Sequence, residues 1–272
     1  MTPLPLNLRI GAGLVGAMVL IAALSLVWTP HDQALLDVTN KFAPPGAAHW
    51  LGTDQLGRDV LSRLMAAAGT SMSVALVSVL LGGGIGVILG VTASAVGGWV
   101  EDLVMRLSDL SFAFPALLFA IMLAAVFGPS LTNTIIAIAF INIPVFARVA
   151  RGAANQVWPR EFVLAGQAAG AGRAALTLHH VLPNITAPII VQATIEFAVA
   201  ILAEAALSYL GLGVQPPAAS WGRMLSESQT LLYLAPQLAI YPGVCIILAV
   251  LGFGLLGDGL RDVTDPRLRR ER

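Results

Sequence analysis

Charge is what this 272-residue chain has least of. Asp, Glu, Lys and Arg make up 11% of it, where a soluble domain carries about a quarter, and 57% is hydrophobic. That shortage excludes an ordinary water-soluble globule and points to an integral membrane protein. The 15 basic and 15 acidic residues cancel, so there is no polybasic surface for nucleic acid. Cysteine is nearly absent. Cys245 stands alone in an apolar run, which excludes an intrachain disulfide and a cysteine-built metal centre and leaves a small apolar residue. No G-x-x-x-x-G-K-[ST] phosphate loop occurs, so ATP hydrolysis by that route is excluded. No HExxH pair or convincing nucleophile–base set stands within the apolar segments. Catalytic residues, cofactors and a resident metal are therefore not expected.

What is present is apolar length. A bilayer crossing takes about 20 apolar residues as a helix, and six segments qualify: residues 9–28, 70–96, 110–127, 131–148, 185–210 and 238–257. The third is short and contains Pro115, but the turn "FGPSLTN" separates it from the fourth. The first reads as a retained helix, because its leader carries one positive charge and no compelling cleavage site follows. Basic residues set the orientation. With the N-terminus inside, Arg9, Arg106, Arg148, Arg151, Arg160, Arg173, Arg261, Arg267, Arg269, Arg270 and Arg272 lie on the cytoplasmic side, and Lys41, Arg58, Arg63 and Arg223 lie outside. The resulting 11-to-4 asymmetry places both termini in the cytoplasm.

One cytoplasmic stretch breaks the apolar texture: "REFVLAGQAAGAGRAALTLHHVLPN", residues 160–184. A helix is expected over 160–169. Gly170 and Gly172 mark a break, since glycine takes positive φ freely and weakens a helix interior by about 1 kcal/mol. A second helix fits 173–182. Pro183 is expected to stop it, with Asn184 or Thr186 capping the next span. Small side chains at Ala165, Gly166, Ala168 and Ala169 keep the first helix low in profile. The pair suits insertion into a groove of another protein; an ordinary connecting loop is the competing reading.

The stretch resembles the signature of ABC-importer permeases: Glu-Ala-Ala, three residues, Gly, nine residues, an aliphatic, one residue, Leu-Pro. Counting back from Leu182-Pro183 places its glycine at Gly170 and its central alanine at Ala165. The chain departs at Leu164, Gly166 and His180, and Glu161 is the nearest acid. "HWLGTDQLGRDVLSRL" (49–64), "LSYLGLGVQPPAASWGRML" (207–225) and "LLGDGLRDVTDPRL" (255–268) look like hallmark blocks of the dipeptide/oligopeptide/nickel permease family, specifically the second permease of the pair.

The resemblance implies an all-α integral membrane protein with six transmembrane helices and a cytoplasmic coupling-helix pair, the type I ABC importer permease fold. It also implies a bacterial inner-membrane complex with a paralogous permease, two ABC ATPase subunits and a periplasmic substrate-binding protein. Glu161, Ala165, Gly166, Gly170, Gly172, Leu182 and Pro183 would be the ATPase-coupling residues. Short peptides lead as the transported class, with nickel or a nickel chelate, sugars or opines as alternatives within the family. A secondary transporter or an intramembrane enzyme is the remote alternative. Three parts are expected: residues 1–69 with the first helix and an interfacial helix, a core over 70–258 with coupling loop 150–184, and a basic tail over 259–272.

Several other features carry expectations. Leu56, Val60, Leu61, Leu64, Met65 and Ala68 recur at helical spacing opposite Gln55, Arg58, Asp59, Ser62 and Arg63, a pattern that fits an interfacial amphipathic helix whose ion pairs sit at the surface. Gly82, Gly86 and Gly90 form a smooth stripe for close helix approach, with the partner permease as its expected neighbour. Asn142 lies near Pro144 and can satisfy a backbone group freed by it. Glu196 and Glu204 fall eight residues apart in the fifth span. They should face the interior or a partner, with Glu204 nearer water. Asn142, Glu196 and Glu204 are candidates for the translocation path or gate. Neighbouring His179 and His180 point about 100° apart on a helix and chelate poorly, whereas His31 and His49 lie outside and could assist a metal substrate.

Overall fold

Long uninterrupted apolar runs become long helices in this protein, and glycine or proline marks where they stop. A computed structural model describes residues 5–264. Helix α1 (Leu6–Ser25) leads through an irregular segment holding one 3-10 turn, Val38–Asn40, into α2 (Val60–Val96). Then come α3 (Gly98–Ala113), α4 (Ala116–Phe127) and α5 (Leu131–Val157). The short helices α6 (Glu161–Ala168), α7 (Arg173–Leu176) and α8 (Leu182–Asn184) precede α9 (Thr186–Tyr209). A loop, α10 (Trp221–Ser228) and α11 (Gln237–Thr264) complete the described chain. No named strand occurs among the described residues; a single bridge joins Thr53 to Asp59.

Five of these helices are long and apolar enough to cross a membrane, or six crossings if α3 and α4 count as one broken span. The third span departs from the expected 110–127. Its two halves meet at 80°, because the ring of Pro115 drives the preceding residue out of the helical region; Phe114 is extended (φ −87°, ψ 118°). Helix α4 alone, at 12 residues, spans only about 18 Å.

Helix α2 organises the rest. Its 37 residues extend about 55 Å, well beyond the roughly 30 Å of hydrocarbon in a bilayer. Of the interfacial helix expected from the 55–68 pattern, only the part from Val60 onward is helical, as the first turns of α2; Gln55, Leu56 and Arg58 lie in the turn before it and Asp59 caps it. The division expected between residues 69 and 70 falls within this continuous helix. The tail expected over 259–272 begins as the last turns of α11; beyond Thr264 it lies outside the described residues, with Arg267, Arg269, Arg270 and Arg272.

The main core joins Val60, Leu64, Met72 and Val79 of α2 to Ile138 and Phe146 of α5, Ile201 of α9, Trp221 of α10 and Phe253 of α11. The glycine stripe lies inside this contact, so the neighbour is α5 of the same chain, not a partner. A Cβ on Gly82 would sit 2.6 Å from Asn142 Cβ, and one on Gly86 would sit 2.7 Å from Phe146 Cβ. Both are distances that packed carbons do not tolerate. Large apolar side chains such as Leu20, Leu80, Ile88 and Val126 remain exposed on the outer faces, as a surface bathed in lipid requires.

Candidate functional site

At one end of the bundle the stretch over residues 160–184 folds as a compact helix–turn–helix unit. Glu161 opens α6, where its carboxylate suits the helix dipole. The helix ends in a Schellman turn: Ala171 N–H donates to Gly166 O (3.0 Å) and Gly170 N–H to Gln167 O (2.9 Å). Gly170 occupies the left-handed position of that turn at φ 85°, a conformation costly for a residue with a Cβ. Gly172 is extended and starts α7. Gly166 allows Leu176 to close over α6, since a Cβ there would fall 2.7 Å from Leu176 Cδ2.

The second half differs from the expected 173–182 helix. After α7 the chain widens into a π turn, Thr177–Val181, in which Leu182 N–H reaches back to Thr177 O. This carries the helical path past Pro183, which has no N–H to give and would crowd the carbonyl four residues back. The stop falls instead at Ile185 (φ −106°, ψ 3°). Nor does Asn184 or Thr186 cap α9: their side chains donate backwards, to His180 O (2.7 Å) and Pro183 O (2.9 Å).

Buried Val163, Val181 and Ile185 tie the unit to Val91 of α2 and to Ala150, Ala154 and Val157 of α5. Arg173 donates to Ala95 O (2.9 Å) and Val96 O (3.1 Å), placing a cation on the negative end of the α2 dipole. The unit is therefore seated on α2 and α5 through a charged hydrogen bond and an apolar contact. The opposite side stays uncovered. Phe162, Leu164 and Leu178 are exposed, as are Glu161, Ala165, Gly170, Gly172 and Pro183; Gly166 and Leu182 are half-buried. His179 and His180 diverge: His179 Nδ1 meets Ala175 O (2.9 Å), while His180 stacks toward Phe162.

The opposite end holds a buried charge cluster. Asp54 Oδ1 accepts from Leu56 N–H (2.8 Å) and Arg58 N–H (3.0 Å), and its Oδ2 accepts from Arg58 Nε and Arg63 Nη1, both at 2.7 Å. Arg58 and Arg63 also reach Glu227 Oε2 of α10 at 2.8 and 3.0 Å. Burial alone would raise the carboxyl pKa of Glu227; the charges of Arg63 and Arg58 outweigh it and hold the group below its ordinary range. Asp54, Arg58 and Arg63 are buried and Glu227 is half-buried, so the expectation of surface ion pairs does not hold. The polar face of the amphipathic pattern meets charge, not water.

A second polar knot adjoins the first. Glu204, expected to be near water, is 0% exposed. Ser71 and Ser208 donate to its two oxygens at 2.8 and 2.7 Å. Ser71 Oγ also lies 3.3 Å from Trp221 N, and Trp221 Nε1 donates to Leu64 O (3.4 Å). Glu204 thus bridges α2, α9 and α10 within the chain. Glu196, about two turns earlier on α9, is also buried and accepts from Gln192 Nε2 (2.8 Å). Asn142 is buried against Gly82, and its Nδ2 has no hydrogen-bond partner in the described residues. It therefore does not take up the carbonyl that Pro144 frees. The two blocks at 49–64 and 207–225 are brought together by these knots.

The bundle of membrane-spanning helices thus carries a small, anchored helix–turn–helix unit on one end, with its outer face exposed. The chain belongs to the binding-protein-dependent transport system inner membrane component family, whose profile matches residues 82–270. It is 41% identical over 260 residues to the dipeptide transport system permease protein DppC of Alkalihalophilus pseudofirmus, covering 96% of this chain and 86% of that one. It is 38% identical to the glutathione transport system permease protein GsiD of Pectobacterium atrosepticum (97% and 88% covered). It is also 38% identical to the probable D,D-dipeptide transport system permease protein DdpC of Escherichia coli (92% and 85% covered). A solved chain of the inward-facing MetNI methionine ABC transporter superposes with TM-score 0.58 at 20% identity, over 74% of this chain and 96% of that one, which establishes the fold. The protein is a multi-pass permease subunit of an ABC importer.

Proposed function

We propose that the chain forms half of the pathway for short peptides in a bacterial inner-membrane importer, paired with a paralogous permease and powered by two ATPase subunits. The observation that carries this reading is its 38–41% identity, over more than nine-tenths of its length, to permeases named for dipeptide and glutathione transport. Both termini lie in the cytoplasm, so the 160–184 unit faces the ATPase and the buried clasp faces the periplasm and its binding protein. Glu161, Ala165, Gly166, Gly170, Gly172, Leu182 and Pro183 shape the coupling contact. Exposed Phe162, Leu164 and Leu178 support this assignment, because apolar side chains on a water-facing unit gain from being covered. Glu196 and Asn142 belong to the half of the bundle that rearranges around the pathway, and Glu204 holds the outer end rigid. The region around residues 70–258 works as the core, with the first helix and the segment before α2 as its periplasmic cover.

The mechanism is alternating access. ATP closes the paired ATPase subunits, the coupling helices follow, and α2 and α5 carry the motion to the far end. Reconstitution tests this. Proteoliposomes holding the full complex and a peptide-loaded binding protein should accumulate labelled dipeptide only with ATP. Uptake by this chain alone driven by an ion gradient, or ATP-driven uptake of Ni2+ in place of dipeptide, would overturn the proposal.

A further inference from the structure

Where residues 28–50 fold back over the start of α2, three side chains with metal-binding chemistry converge. His49 Nδ1 lies 2.9 Å from Asp59 Oδ1, and His31 Nδ1 lies 3.6 Å from the same oxygen. The two imidazole rings stand 4.6 Å apart, and one ligand atom from each of the three residues lies within 4.8 Å of the others. The other carboxylate oxygen is already engaged: Asp59 Oδ2 accepts the N–H of Ser62 (2.8 Å) and its hydroxyl (2.7 Å). Oδ1 is thereby aimed at the two rings. His31 is fixed from behind, its backbone N–H donating to Ser62 Oγ (2.9 Å). The carboxylate is thus oriented by outer hydrogen bonds, as ligands of a metal centre are, and the backbone that carries the His31 ring is held in place.

Hydrogen bonding alone leaves this arrangement incomplete. His49 satisfies the oxygen, and the His31 ring makes no hydrogen bond among the described residues. A divalent cation accepts all three donors. At metal–ligand distances of about 2.0–2.2 Å, tetrahedral geometry separates ligand atoms by roughly 3.3 Å, between the two separations found here. A cavity of about 390 Å³, lined by Trp28, Pro30, His31, Trp50, Asp59 and Leu61, gives an ion a route in and leaves room for a water as fourth ligand.

We propose that His31, His49 and Asp59 form a site for a divalent transition-metal cation, of the Zn2+ class that imidazole and carboxylate ligands favour. The bound ion clamps the segment after α1 onto the start of α2. It is a resident ion, distinct from the transported solute, and the site does not depend on which solute that is.

The test is Zn2+ binding by the purified complex, with affinity tags removed, after chelator treatment and desalting. Titration in competition with a chromophoric chelator should show one more equivalent of Zn2+ per complex in wild type than in the His31→Gln/His49→Gln double variant. Losing an outer-shell partner alone weakens metal binding by about 10–100-fold; each single histidine variant should lose at least that much at this site. Zn2+ should also slow proteolysis within residues 26–59 of wild type and leave the double variant unchanged. If the double variant does not elute as an intact complex, His31→Gln alone carries the test, because that ring supports no other hydrogen bond. Equal Zn2+ uptake by wild type and the histidine variants would overturn the proposal.

Discussion

Neutralising Glu227 is the perturbation that probes the buried clasp hardest. Arg58 and Arg63 share two carboxylates, both reaching Asp54 Oδ2 at 2.7 Å and Glu227 Oε2 at 2.8 and 3.0 Å. Their side chains are 9% and 4% exposed, so water screens them little. Glu227→Gln leaves two buried guanidiniums on the single carboxylate of Asp54. Breaking one side of a buried pair costs about 3–5 kcal/mol. Asp54 remains and the amide still offers an oxygen, so the lower figure, about 3 kcal/mol, applies. At about 2–4 °C per kcal/mol, the melting midpoint of the purified complex should fall by about 6–12 °C, read by intrinsic fluorescence. Arg223→Ala is the control: its guanidinium is 22% exposed and meets Glu227 from the rim at 3.2 Å, a pairing worth less than about 1 kcal/mol.

The sign of the pH dependence follows from the same geometry. The folded carboxyl of Glu227 is held below its ordinary value of 4.5, so its stabilisation is complete above that value and is lost as pH falls through the folded one. The gap between wild type and Glu227→Gln should therefore be widest near neutrality and narrow in acid. A variant melting within about 2 °C of wild type at neutral pH, less than 1 kcal/mol on the same scale, would refute the reasoning.

Gly86→Leu should wedge α2 from α5, because even a Cβ there meets Phe146 Cβ at 2.7 Å; overpacking costs about 1–3 kcal/mol or more. The yield of folded chain should drop, as measured by detergent size-exclusion recovery. Glu204→Ala strands the hydroxyls of Ser71 and Ser208 in a dry site, at about 1–3 kcal/mol for each group left unpaired. Glu204→Gln keeps their shape and partners, so it should recover most of the thermal stability that Glu204→Ala loses. In a Cys245→Ser background, cysteines at exposed Ala47 and Ala218 should react with an impermeant thiol reagent in intact spheroplasts, and one at exposed Ala174 should not. Labelling at 174 would reverse the assigned orientation.

Features set by local chemistry were legible in the sequence. The turn at Gly170 is an example, since a glycine following a short helix asks for the left-handed position and the structure shows it at φ 85°. The glycine stripe announced close helix contact, but its spacing could not say whether the neighbour was α5 or another subunit. The pattern over 55–68 shows a different limit. Periodicity reveals a polar face, yet the partner of that face, Glu227, lies 169 residues from Arg58. Position along the helix alone suggests water near Glu204; the serines that enclose it come from α2 and from its own next turn. Pro183 is a stop by the rule for ordinary α-helix, and the π turn before it relaxes that rule. The His31–His49–Asp59 cluster is half visible: the sequence puts two histidines on the same side, but Asp59 next to Arg58 suggests a surface ion pair, not a carboxylate beside the two rings.

The central claim is that residues 161–184 transmit ATP hydrolysis to the membrane helices, and Gly170→Val measures it most directly. The β-branched residue cannot hold φ 85° without strain, so α6 and α7 lose their angle while every spanning helix keeps its sequence. In reconstituted complex, ATP hydrolysis should be stimulated by loaded binding protein with the wild-type chain, and that stimulation should be lost with Gly170→Val although the variant inserts and co-purifies with the partner permease. Wild-type stimulation in the variant would contradict the account and return the segment to the status of a connecting loop.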